Sequence, residues 1–192
     1  RSKVWIVSDS HGRAGPVAQA VRDAKAQGAQ AVIHCGDLIG TQTLRPALAL
    51  GLPLHIIHGN NIGDPQSLHR WAAESNGQLR YHGVDGRIEL AGKRVFMVHY
   101  DDYGYAMACT GQWDLVCCGH SHRAEVRQVP SVDSKSTWLV NPGTVAGLAA
   151  PSTWVMGDLA AMRFEVHELG SAPRQQDQNP HDKPTQMMAA RP

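Results

Sequence analysis

The feature that most limits what this chain can fold into is a grammar that recurs three times in its first 75 residues. A short apolar run ends in a polar stop, and a helical stretch follows. Val4-Trp5-Ile6-Val7 stops at Ser8-Asp9-Ser10-His11-Gly12, after which Pro16 suits a first helical turn and Val17, Ala20, Val21 and Ala24 form an apolar stripe that ends near Gly28. Ala31 to Cys35 stops at Gly36-Asp37, and Thr41 to Leu50 has helical spacing before Gly51. Leu54 to His58 breaks at Gly59-Asn60-Asn61-Ile62-Gly63-Asp64, and a helix is predicted from Pro65 to Ser75. Strands alternating with helices argue for a parallel sheet with helical crossovers. The polar stops then sit at the carboxyl ends of strands, where open α/β sheets bind ligands.

From Gln78 the grammar changes to short strands linked by glycine turns, Leu79 to His82, Arg87 to Leu90 and Arg94 to His99, and antiparallel pairing is predicted to take over at that point. A short helix over Tyr103 to Thr110 precedes Leu115-Val116-Cys117-Cys118, which stops at Gly119-His120-Ser121-His122. Further strands are predicted at 124–129, 137–140, 153–159 and 162–168. This count suits an α/β fold in which two mixed sheets pack face to face with helices outside. The chain's 192 residues fill one core, taken as residues 1–169. Residues 170–192, rich in Pro, Gln, Asn and Asp, are predicted to form a disordered tail.

Charge narrows the function classes. Eighteen basic residues against 17 acidic ones leave a net charge of +1, so no bulk field favours nucleic acid or an anionic membrane. No apolar run reaches the roughly 20 residues that a bilayer requires. The four cysteines, Cys35, Cys109, Cys117 and Cys118, form no Cys-x-x-Cys pair, and buried free thiols in a reducing cytoplasm are the expectation. Eleven histidines against two phenylalanines is an unusual balance.

Several of those histidines stand at strand ends. The polar residues at these ends are Asp9, His11, Asp37, Asn60, His99, His120 and His122. All offer oxygen or imidazole nitrogen, and none is a thiolate. Such donors suit Mn, Fe, Zn, Co or Ni rather than the all-oxygen cages of calcium. Seven donors exceed one tetrahedral ion and fit two ions that share a bridging carboxylate. Metals about 3.5–4 Å apart can hold a hydroxide between them and clamp a phosphate ester for in-line attack.

Asp9-x-His11, Gly36-Asp37, Gly59-Asn60, His99, Gly119-His120-x-His122 and Asn141-Pro142-Gly143-Thr144, in this order, resemble the calcineurin-like metallophosphoesterase superfamily, and in particular its small single-domain bacterial and archaeal phosphodiesterases. The resemblance covers residues 3 to 168. It implies a four-layer α/β/β/α sandwich of two mixed β-sheets flanked by helices, and a two-metal site. By that pattern Asp9, His11, Asp37 and His122 hold the first metal, and Asp37, Asn60, His99 and His120 hold the second, with Asp37 as the bridge. Manganese is the first choice of ion.

The chain departs from the pattern in two places. Where family members often carry a His or Cys after the Gly-Asn pair, a candidate proton donor, this chain has Asn61, and an acidic residue arrives only at Asp64. Asn60, His120 and Asp64 are expected to act in catalysis, with Asp64 or His69 as a substitute proton donor. The segment His99-Tyr100-Asp101-Asp102 replaces a more usual His-Gly, and Tyr100 is expected to narrow the cleft.

The resulting expectation is a metal-dependent phosphodiesterase acting on a small phosphate ester. A phosphomonoesterase or nucleotide pyrophosphatase on the same site is the alternative. A third reading, a protein-binding scaffold like the retromer-subunit relatives of the superfamily, expects eroded ligands, whereas all seven are present. His34, His55 and His58 lie within or beside apolar runs and read as hydrogen-bonded core histidines. Asn141-Pro142-Gly143 reads equally as a turn or as a loop that supports the site.

Overall fold

The structure, a computed structural model, describes residues 2–169. The tail expected at 170–192 lies outside the described residues. In chain order the elements begin with β1 (Lys3–Val7), α1 (Ala14–Ala26), β2 (Ala31–His34), a 3₁₀ turn (Thr41–Leu44) running into α2 (Arg45–Ala49), and β3 (Leu54–Ile56). Next come α3 (Pro65–Glu74), β4 (Leu79–Tyr81), β5 (Asp85–Leu90), β6 (Lys93–Val98) and α4 (Asp101–Cys109). The last strands are β7 (Leu115–Cys117), β8 (Ala124–Pro130), β9 (Ser136–Pro142), β10 (Thr153–Asp158) and β11 (Arg163–Glu168).

Two mixed sheets result, with strand orders β11-β10-β1-β2-β3-β4 and β5-β6-β7-β9-β8. In the first sheet β1 to β4 run parallel and β10 pairs antiparallel to β1. In the second, β6, β7 and β9 run parallel, with β5 and β8 antiparallel at the edges.

The period-two alternation of each strand builds the layers. Along β1, Val4 and Ile6 face the second sheet while Trp5 and Val7 face α1. In the second sheet Val95, Met97, Leu115 and Cys117 point into the space between the sheets, and Phe96, Val98, Val116 and Cys118 point outward to Ala108 of α4. The stripe Val17, Ala20, Val21 and Ala24 is the buried face of α1. Three apolar layers thus hold an α/β/β/α sandwich together, and each large side chain buried in them contributes roughly 1.5–3 kcal/mol.

Two local expectations are corrected. Antiparallel pairing does not begin at Gln78, because β4 pairs parallel with β3, matching Leu54 with Leu79 and Ile56 with Tyr81. Helix α3 returns the chain to the starting end of the first sheet, so one more parallel strand is laid down before the β5–β6 hairpin. The helix expected over 41–50 is split, with Pro46 in the first turn of α2. Proline has no N–H to continue a preceding helical turn, but it is accepted where a new helix starts.

Candidate metal centre

The site lies where the carboxyl ends of β1, β2 and β3 meet those of β6 and β7. The loops after β1 and β2 zip together beyond the sheet: Asp9 N donates to Gly36 O, His11 N to Asp37 O and Gly12 N to Leu38 O, each at 3.0 Å. This sets Asp9 and His11 beside Asp37. The two sheets are pinned at the same spot by His99 Nδ1, which lies 2.7 Å from Cys35 O, while within the second sheet Gly119 N donates to His99 O at 2.8 Å.

Asp9, His11, Asp37, His120 and His122 all have positive φ, between 46° and 69°. Non-glycine residues seldom adopt this conformation, and such strain concentrates at functional sites. Glycines make the close approach possible. A Cβ on Gly59 would collide with Asp37 Oδ1 and the His99 ring, and one on Gly119 would collide with Ser8 Oγ and Asp9 Oδ2.

All seven strand-end residues converge, in two overlapping groups. In the first, His122 Nε2 and His11 Nε2 lie 3.3 and 3.6 Å from Asp9 Oδ1, and His11 Nε2 lies 3.8 Å from Asp37 Oδ2. In the second, His99 Nε2 lies 3.4 Å from Asp37 Oδ1, and Asn60 Oδ1 is 3.0 Å from both His99 Nε2 and His120 Nδ1. Asp37 thus turns one oxygen to each group. Asp9 also reaches both, with Oδ1 4.0 Å from His99 Nε2.

The tautomers decide what this arrangement requires. A carbonyl oxygen only accepts, so His99 Nδ1 and His122 Nδ1, facing Cys35 O and Leu148 O, carry the protons. The same rings turn Nε2 towards carboxylate oxygens of Asp37 and Asp9. Asp9 Oδ1 is fully buried and has no hydrogen-bond partner among the described residues. A buried carboxylate oxygen without a hydrogen-bond donor calls for positive charge beside it, and the imidazole nitrogens gathered around it are ligands that a cation there would use. Nitrogen and oxygen donors without thiolate match divalent transition metals.

A supporting shell holds these groups. Ser8 Oγ and His120 N donate to Asp9 Oδ2 at 2.7 and 3.1 Å, and Thr144 Oγ1 donates to Asp9 O at 2.9 Å. Asn141 Nδ2 donates to Gly119 O and Ser121 Oγ, and Asn141 Oδ1 accepts from Gly143 N, so the Asn-Pro-Gly segment supports the site. The carbonyls of Cys35 and Leu148 carry no sequence signal, because any residue supplies one.

The departures from the family pattern have structural answers. Asn61, where the resemblance leads one to expect a proton donor, orients a carboxylate: its N donates to Asp37 Oδ1 at 2.9 Å and its Nδ2 to Asp37 Oδ2 at 2.8 Å. Asp64 is solvent-exposed at the start of α3. It caps α3, accepting from Ser67 N at 3.0 Å and Ser67 Oγ at 2.5 Å, and these hydrogen bonds hold its carboxyl below the usual range and therefore ionised. His69 lies on exposed α3 surface and packs edge-on against Tyr81, with ring centroids 4.7 Å apart.

His34, His55 and His58 are hydrogen-bonded within the fold. Burial, with the neighbouring His99 ring, pushes His34 down to about 3, and its ring pairs with Ser10 Oγ and Gly36 N. Burial, with the nearby His82 and Arg80, pushes His55 down to about 4; it stacks on His82 and bonds to it at 2.9 Å. His58 Nδ1 meets Tyr81 OH at 2.6 Å.

Comparison with known proteins agrees with this geometry. A family model of the calcineurin-like phosphoesterase superfamily domain matches residues 3–162. The chain belongs to that superfamily of phosphoric ester hydrolases. A phosphodiesterase of Methanocaldococcus jannaschii is 26% identical over 149 residues, spanning 76% of this chain and 85% of the relative. The solved structure of a novel archaeal phosphodiesterase superposes with a TM-score of 0.78 at 22% identity, covering 87% of this chain and 99% of that one. The phosphoesterase Yfce from E. coli follows at 0.58 and 15% identity, over 87% and 98% of the two chains. These structural likenesses speak for the fold. Among the described residues no helix is long and apolar enough to cross a membrane.

Proposed function

We propose that the chain is a metal-dependent phosphodiesterase whose two divalent ions, manganese the first choice, are held by Asp9, His11, Asp37 and His122 on one side and Asp37, Asn60, His99 and His120 on the other. The observation that carries this is Asp37, one oxygen turned to each donor group, beside a buried Asp9 oxygen that lacks a donor. When bound, such ions supply Lewis acidity that activates water and neutralises charge on the phosphate oxygens.

The chain's own residues do the rest. Cys35 O and Leu148 O fix the His99 and His122 tautomers so that Nε2 presents a lone pair to the centre. Asn61 orients Asp37 through two hydrogen bonds. Asn60 and His120, on the exposed side of the centre, are the ligands nearest to an entering substrate. Asn61 offers no proton, and among the described residues no acid is positioned beside the centre in its place, so esters with stable leaving groups are the better substrates. The relative named a phosphodiesterase supports the same reading. Three buried thiols among four free cysteines fit a reducing compartment such as the cytoplasm.

The test is metal analysis of the purified protein together with hydrolysis of bis(p-nitrophenyl) phosphate and p-nitrophenyl phosphate across a panel of divalent metals. About two ions per chain, with faster turnover of the diester, is the expected result. Turnover of the monoester alone, or binding of no metal, would overturn the reading.

A further inference from the structure

Next to the donor groups a cleft of about 340 Å³ opens, within the size range of ligand pockets. His58, Gly59, Asn60 and His99 line it, together with Ile62, Val84 and Tyr100. These three come from the loop before α3, the turn before β5 and the residue before α4, so the fold gathers them from separate segments. Ile62 is 47% exposed and Val84 64% exposed, and Tyr103, packed against Tyr100, is 59% exposed. Large apolar side chains left in the open beside a polar centre mark a binding surface.

Tyr100 is held rather than free. Its ring packs against those of His99, His120 and Tyr103, with centroids 5.4, 5.0 and 5.4 Å away. It therefore offers a fixed aromatic wall that is continuous with two of the candidate ligands, at little conformational cost to an incoming ring. The charge of the cleft is equally informative, since among the described residues no lysine or arginine lines it. The apolar and aromatic walls of the cleft therefore suit an uncharged ester substituent rather than an anionic one.

We propose that Ile62, Val84 and Tyr100 form a subsite for an aromatic ring on one ester substituent of a monoanionic phosphodiester. This rests on the phosphodiesterase reading above and adds a substrate class to it, aryl-bearing diesters. The ring lies against Tyr100, with Ile62 and Val84 covering its other contacts, while the phosphoryl oxygens face Asn60 and His99.

The experiment uses two stable monoanions that differ only in the ring, methyl phenylphosphonate and methyl methylphosphonate. Their affinities for the metal-loaded protein are measured by calorimetry and as inhibition of bis(p-nitrophenyl) phosphate hydrolysis. The wild type should bind the phenyl compound about tenfold more tightly, the effect of burying roughly half of a phenyl ring's apolar surface. Tyr100→Ala and Val84→Ser should each bring that ratio towards one, and Val84 lies on an exposed turn where the change leaves folding intact. Equal affinities in the wild type, or an undiminished ratio in both variants, would overturn the subsite. Absence of hydrolysis would instead count against the phosphodiesterase reading, while the calorimetric ratio still reports on the ring.

Discussion

Replacing Asn61 with alanine tests the role of the residue that follows the Gly59-Asn60 pair. The change removes the 2.8 Å bond from Nδ2 to Asp37 Oδ2 and leaves the 2.9 Å bond from the Asn61 backbone to Oδ1 in place. A hydrogen bond to a charged group contributes about 1.5–3 kcal/mol, or roughly 10–100-fold in an equilibrium constant. Asn61 is solvent-exposed, so water replaces part of the lost bond and the lower end applies. Partners that orient a metal ligand commonly matter by about 10–100-fold, which agrees. The expected result is therefore about tenfold weaker binding of manganese by calorimetry, with melting temperature in the presence of chelator nearly unchanged. An unchanged affinity would refute the orienting role and leave Asn61 as a spacer.

Four further outcomes are expected. Asn61→His, which restores a proton donor, should narrow the gap between aryl and alkyl diesters, a gap that a positioned acid can close by about 10²–10⁴-fold; a parent that already cleaves both classes equally well would contradict this. Asp37→Ala should lose most metal from both groups by elemental analysis, and full retention would sink the bridging assignment. Asp9→Asn should stabilise the metal-free protein by about 1–3 kcal/mol in urea unfolding while abolishing turnover, since an amide there can donate where Oδ1 now has no partner. His34 is held neutral in the fold, at about 3, so the unfolded chain takes up its proton first as pH falls below about 6.5. Between that value and about 3 this residue removes about 1.4 kcal/mol of stability per pH unit, and urea unfolding of chelator-treated His34→Gln against the parent should show a correspondingly shallower acid slope.

The layers and the convergence of polar residues at strand ends were both legible in the residues alone. Strand alternation and the α1 stripe are local periodicities, and burial follows them wherever a strand or helix has one wet and one dry face, so Val4 and Ile6 separate from Trp5 and Val7 without knowledge of the partner. The polar stops were equally legible, since a buried strand ends where its apolar run ends, and a parallel sheet brings those ends to one edge. What only the tertiary structure decided depends on contacts between distant segments. The pairing direction of β4 follows from where α3 returns the chain, which no property of Leu79–Tyr81 encodes. Asp64 and Asn61 looked like a candidate acid and a vacancy for one. The start of α3 takes the first as its cap, and the loop after β3 delivers the second to Asp37, 24 residues away in sequence. The tautomers of His99 and His122, on which the chemistry depends, are set by the carbonyls of Cys35 and Leu148. Every residue carries a carbonyl, so only folding determines which one a histidine meets.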